Sequence, residues 1–165
     1  MRIVLRLPPL PILLLLLGAC AGGPTFDTSE VDSALTPAIV IAGSRHTAGK
    51  QVLWGGIILA TTNLPDNTLI EMLAYPLNSR GKPQRDEAPQ GRFFLEQGGF
   101  LDPAVYAAGR LLTASGTILR IETGKVGAAE QSGPVVSAEE LHLWPVDSTG
   151  DDPVMIFGVG FGFGF

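Results

Sequence analysis

One thiol, two imidazoles and sixteen carboxylates bound the side-chain chemistry open to this chain of 165 residues. Cys20 is the sole cysteine, so no disulfide within the chain and no multi-cysteine metal site can form. His46 and His142 stand far apart in the sequence, and His142 falls between Leu141 and Leu143, where strand alternation turns it toward solvent. With no His cluster and no second thiol, a zinc site would depend on scattered carboxylates. Of these, Glu139 and Glu140 are neighbours on a strand-like run and so face opposite sides, and Asp151-Asp152 sit in a polar linker. Glu71 and Glu96 are the pair that an acid–base hydrolase could use. No G-x-S-x-G, G-x-x-x-x-G-K-[ST] or H-E-x-x-H occurs, which removes the best-marked hydrolases and nucleotide-binding enzymes, and no residue set calls for a cofactor. Binding chemistry has more material. Trp54, Tyr75 and Arg92 are the candidate ligand contacts, offering two stacking rings and a planar cation. Trp54 and Trp144 lie in different strand-like segments and read first as core. Arg80, Lys82 and Arg85 share one loop with Asp86 and Glu87, and read first as solvated charge, with an anionic glycan or lipid headgroup as the alternative contact.

The position of the thiol is more telling than its type. Arg2 and Arg6 give a positive start, Leu10–Leu17 is apolar apart from Pro11, and Gly18-Ala19 supply small residues before Cys20: the layout of a secretory signal peptide over residues 1–19. Pro8, Pro9 and Pro11 leave only about eight clean apolar residues where a spanning helix needs about twenty. Leu17-Gly18-Ala19-Cys20 resembles the bacterial lipobox, in which the Cys thiol is acylated and the Cys becomes the new N-terminus. An ordinary signal peptide is the competing reading, since Ala19-Cys20-Ala21 also fits the small-x-small pattern. A sole cysteine at that junction favours the lipobox, which implies palmitate on Cys20. One acyl chain binds a membrane only marginally, at about 0.8 kcal/mol per buried methylene, whereas several chains anchor it for good. Ala21 follows the cysteine where the Gram-negative sorting rule would place Asp for inner-membrane retention, which implies the outer membrane. Loss of Arg2 and Arg6 moves the net charge from −5 to −7. Such an acidic chain lacks the basic face of a nucleic-acid binder, so no nucleic-acid partner is expected.

These residues must be positioned by short strands split by turn chemistry. Val52–Thr62, Thr68–Leu77, Arg92–Glu96, Arg110–Glu122 and Val135–Trp144 read as five strands. Gly55-Gly56 suggests a bulge or close backbone approach, and Gly116 a kink at a barrel corner. Asp102 as N-cap, Pro103 at the first position and Gly109 at the end predict a short helix between the third and fourth strands. Residues 124–133 read as loop, and Ala38–Ala42 is either an edge strand or a short helix. Five strands with that helix predict a mainly β fold, a small closed or partly open barrel of OB-like type. The small, polar segment 20–36 reads as a flexible tether, 37–146 as the barrel domain, and 147–165 as a Gly/Phe-rich tail, loosely ordered or touching membrane or partner through its Phe face.

The stretch from Trp54 to Pro145 resembles the Slp-family outer-membrane lipoproteins of Gram-negative bacteria. The residues that carry the likeness are Trp54-Gly55-Gly56, Glu71, Tyr75-Pro76-Leu77-Asn78-Ser79, Gly81-Lys82-Pro83 and Gly91-Arg92-Phe93. They continue as Gly99-Phe100-Leu101-Asp102-Pro103, Tyr106, Gly109-Arg110, Thr113, Gly116 and Leu143-Trp144-Pro145. The resemblance implies a protein held on the outer membrane by an N-terminal lipid, facing the periplasm, with no assigned enzyme activity. The sequence departs from the family in one place: an aromatic residue usually precedes Pro-Val-Val, and here Ser132-Gly133 precede Pro134-Val135-Val136.

Three functional readings follow. The first is a non-enzymatic envelope lipoprotein with a structural or interaction role, partnered by the membrane and by an envelope protein or glycan. The second is an OB-like module binding an oligosaccharide or other envelope ligand through Trp54, Tyr75 or Arg92. The third is a hydrolase of envelope polymers using Glu71 and Glu96.

Overall fold

A computed structural model of the chain describes residues 24–43, 47–126 and 129–146. Residues 1–23 with Cys20, His46 and the 147–165 tail lie outside the described residues. Five strands, β1 (Gln51–Asn63), β2 (Asn67–Tyr75), β3 (Gly91–Gly98), β4 (Leu111–Val126) and β5 (Ala129–Leu143), follow one helix, α1 (Pro37–Gly43). They close into a barrel in the order β1-β2-β3-β5-β4, with β4 returning to β1. Only the β3–β5 seam is parallel, joining Phe94–Glu96 to Val135–Ser137; the other four ladders are antiparallel. A five-stranded Greek-key barrel of this order is the OB arrangement.

Alternation built this closure. Along β2, Thr68, Ile70, Met72 and Ala74 are buried while Asn67, Leu69, Glu71, Leu73 and Tyr75 face outward. Phe93 and Leu95 from β3, Leu112, Ala114 and Ile118 from β4, Val136 from β5 and Val52, Trp54 and Ile58 from β1 complete the core. Each large side chain taken out of water there contributes about 1.5–3 kcal/mol. A small barrel brings its strands so close that two positions have no room for a side chain. A Cβ on Gly56 would lie 1.9 Å from the Leu73 carbonyl oxygen of β2, and one on Gly116 would lie 2.0 Å from the Ser137 carbonyl oxygen of β5.

The helix stands elsewhere than predicted. Between β3 and β4 there is no helix, only a turn at 108–109 preceded by one at 103–105. Asp102 does cap the 103–105 turn, accepting from Ala104 N at 2.8 Å, and Tyr106 N reaches Asp102 O at 2.9 Å. The chain is then drawn onto β1, because Thr61 Oγ1 donates to Tyr106 O at 2.7 Å and Gly109 N to Ile58 O at 2.8 Å. One turn repays little of the cost of nucleating a helix, so these contacts win. The helix lies before β1 instead, over the segment that periodicity left open. Thr36 caps it through Ile39 N, Pro37 takes its first position, and fully buried Val40 seals one end of the barrel.

The loop predicted over 124–133 is also replaced. The β4–β5 ladder runs on through Glu122↔Gly133 and Thr123↔Ser132, with the Thr123 and Ser132 hydroxyls 2.8 Å apart. Glycines suggested a break, yet antiparallel pairing tolerates Gly133 because the Phe94 ring fills the space beside it, 3.0 Å from where its Cβ would stand.

Gly56→Ala should lower unfolding free energy by about 3 kcal/mol or more, since only backbone atoms could yield. Gly43→Ala, with open space around it, is the control. Urea unfolding compares them, and near-equal midpoints would refute the close approach.

Candidate functional site

Trp54, Tyr75 and Arg92 do not converge on one site. Trp54 is 5% exposed, donates its indole N–H to Leu35 O at 2.8 Å, and sets its ring edge-on to Phe93 at 5.3 Å. Tyr75 ends β2 on the outer side, half-buried and paired in register with Gly55. These two rings line a common cleft of about 540 Å³, with Leu35, Leu53, Leu77 and Gln90 among its walls. Arg92 is not part of it. It stands on the outer face of β3 and bonds the Glu71 carboxylate across the ladder. The cleft is roofed by residues 28–36, part of a strap that runs along the barrel. Val31 bridges to Gln51, Lys50 Nζ donates to Asp32 at 2.8 Å, and Leu35 packs on the core. Residues 24–36, inside the segment read as a tether, are therefore seen lying against the barrel.

The carboxylates suggested for catalysis are diagonal neighbours on the outer β2–β3 face, Glu71 opposite Phe94 and Glu96 opposite Leu69. Each is engaged: Glu71 with Arg92, Glu96 with Arg120 at 3.0 Å and with the Asn67 amide at 2.8 Å.

Glu139 and Glu140 differ from the sequence reading. The register shifts between Ser115 and Gly116, so Ser115 pairs with Glu140 and Gly116 with Ala138, leaving Glu139 as the extra residue of a β-bulge. The bulge cancels the alternation, and both carboxylates line one cleft of about 610 Å³ with Asp27, Glu30 and Gln51. Gln51 Nε2 donates to Glu139 at 2.9 Å and Thr117 Oγ1 at 2.8 Å, and these bonds hold its carboxyl below the ordinary glutamate value. Asp27 is likewise lowered, chiefly by the Ser29 backbone N–H. Among the described residues, no three His, Cys, Asp or Glu side chains are grouped to hold a metal ion.

A second cluster has no counterpart in the list of candidates. The Thr113 hydroxyl, fully buried, donates to Gly81 O at 2.7 Å and accepts from the Trp144 indole N–H at 2.9 Å. His142, expected to face solvent, is half-buried between two rings: Trp144 edge-on at 4.5 Å and Phe26 at 6.4 Å. Lys82 Nζ lies 6.0 Å from the Trp144 ring, at the outer limit of a cation–π contact. Room for this junction comes from Gly55, whose Cβ would fall 2.6 Å from Thr113 Oγ1. The fragments that carried the family resemblance, Trp54-Gly55-Gly56, Gly81-Lys82-Pro83, Thr113 and Leu143-Trp144-Pro145, thus meet in space. Their spacing in sequence held no signal of that meeting.

The model of the outer membrane lipoprotein Slp family matches residues 17–158. The chain belongs to the Slp family. Among its relatives, an uncharacterized protein of Haemophilus influenzae is 35% identical over 63% of this chain and 57% of its own length. The outer membrane protein Slp of Escherichia coli is 28% identical over 69% of this chain and 60% of its own, and the uncharacterized lipoprotein YeaY of the same species is 29% identical over 64% and 54%. The chain thus spans a little over half the length of these relatives. Membership of the Slp family makes this an outer-membrane lipoprotein built on a β-barrel.

Two measurements test the site. Thr113→Val keeps the volume but leaves the buried Trp144 N–H and Gly81 carbonyl without partners, and should cost about 1–3 kcal/mol in urea unfolding followed by Trp fluorescence. A change under about 0.5 kcal/mol would show that the hydroxyl is not needed. The second is the titration of Glu139. Because its folded pKa is lowered, its contribution to stability is present above the ordinary glutamate range and is lost as pH falls through the lowered value. Carboxyl NMR should place its midpoint below that of an unstructured glutamate, and Gln51→Ala should raise it.

Proposed function

We propose that this Slp protein is a non-enzymatic envelope component. Residues 1–19 are removed as a signal peptide, Cys20 carries the lipid, and the barrel faces the periplasm from the outer membrane. There it serves a structural or interaction role with an envelope protein or glycan. The observation that carries the reading is the extent of the family match: it begins at residue 17, so Leu17-Gly18-Ala19-Cys20 lies inside it. The engaged carboxylates support the absence of acid–base catalysis, since Glu71, Glu96 and Glu139 each hold a partner within the fold.

A second reading is favoured by one feature. Tyr75 and Trp54 share the cleft beneath the strap, which is large enough for part of a sugar or an aliphatic group. Trp54 contributes only a buried ring to it, and Arg92 contributes nothing, so the ligand reading rests on Tyr75 and stands second.

Cys20→Ser should abolish palmitate incorporation and move the protein from the membrane fraction to the soluble periplasmic fraction. Full membrane retention by the variant would overturn the anchor.

A further inference from the structure

We propose that the barrel is docked on the bilayer in one orientation, with the side bearing Phe26, Arg80, Lys82, Arg85, Arg110 and Val146 held against anionic lipid headgroups. The inference rests on lipidation of Cys20 and goes beyond it. Only three residues separate Cys20 from Pro24. Fully extended, the chain from Cys20 to Pro24 reaches about 14 Å. The lipid of an acylated cysteine sits at the acyl–headgroup boundary, and the headgroup layer itself takes about 5–7 Å. What remains is about one Debye length at physiological ionic strength, ~8 Å.

Where the strap begins decides which side is held there. Phe26 is packed on the 78–81 loop: a Cβ on Gly81 would stand 3.1 Å from its ring, and Pro24, Phe26, Leu77 and Arg80 share one cleft. The strap is therefore tied down at its lipid end as well as at Val31 and Leu35, and the barrel cannot swing freely about residue 36.

Four cations stand on that side as well. Of nine Lys and Arg in the chain after residue 19, four are Arg80, Lys82, Arg85 and Arg110. Arg80 and Arg85 are exposed, and Arg110 spends its guanidinium on two carbonyls, Val105 O at 3.1 Å and Trp144 O at 3.0 Å. Arg85 and Arg110 flank Trp144, Pro145 and Val146, the last 71% exposed. Asp86 and Glu87 on the same loop offset two of these four charges. The cleft acids Asp27, Glu30, Glu139 and Glu140 collect instead at the Gln51 end of β1. A charged rim around an amphipathic ring and an exposed aliphatic residue suits an anionic headgroup layer. Measured from Gly55, which lies beside Leu77 and the 78–81 loop, exposed Leu64 and Phe100 stand about 30 Å away, past the Asn63 end of β1, and in this orientation face away from the bilayer.

Acylation of Cys20 leaves an introduced cysteine as the only free thiol, so Ser79→Cys and Phe100→Cys can each be labelled with a fluorophore in the full lipidated protein. The labelled proteins are placed in phosphatidylethanolamine–phosphatidylglycerol vesicles carrying a headgroup nitroxide quencher. Quenching should be about threefold stronger at position 79 than at 100. Adding Arg80→Gln, Lys82→Gln and Arg85→Gln, or omitting phosphatidylglycerol, should reduce quenching at 79 about twofold. Palmitate at Cys20 is measured on the same samples. Unacylated Cys20 overturns the anchor and the orientation with it. Acylated protein quenched equally at 79 and 100 overturns the orientation alone, and quenching at 79 unmoved by the charge changes overturns the headgroup contact.

Discussion

Three consecutive residues of β1 constrain the rest of the molecule. Trp54 points inward, meets Phe93 edge-on and ties the strap to the barrel through Leu35. Gly55 leaves the space that Thr113 Oγ1 and Leu77 occupy, and Gly56 lets β1 touch the β2 backbone at Leu73. Closing five strands into so narrow a barrel requires strong bending, and a side chain at either glycine would hold the ladders apart. The barrel, the strap and the Thr113 junction all follow from that close approach.

The outer surface is organised by this junction. The Thr113 hydroxyl can donate one hydrogen bond and accept another, and it does both, joining the 78–83 loop to the end of β5. Trp144, His142 and Phe26 meet edge to face outward from it, so the start of the described chain, the long loop and the last strand form one continuous side. The chain's acids are used differently. Glu71 and Glu96 brace the outer β2–β3 face against arginines, and Glu139 is displaced by a bulge into hydrogen bonds from β1 and β4. The polar groups named here hold the barrel together.

The sequence by itself determined the five strands, because alternation of apolar and polar residues is local and survives in the order of the letters. Gly56 was legible as a close-approach position and Gly116 as a kink, and the isolation of Cys20 at a cleavage-like junction was legible too, whereas the close approach of Gly116 to Ser137 came only with the pairing of β4 and β5. The helix was misplaced because Asp102-Pro103 and Thr36-Pro37 are equally good starts. What separated them was whether Val40 found a barrel end to seal and whether Thr61 and Ile58 captured residues 106–109, both long-range events. Glu139 and Glu140 came to share a cleft only because a bulge shifted the register, which no single strand announces. Trp54, Tyr75 and Arg92 were picked as one set by residue type; tertiary structure divided them, since a ring facing in, a ring at a strand end and a cation paired across a ladder answer to different neighbours. Local order wrote the strands, and contacts between distant residues decided which side chains meet.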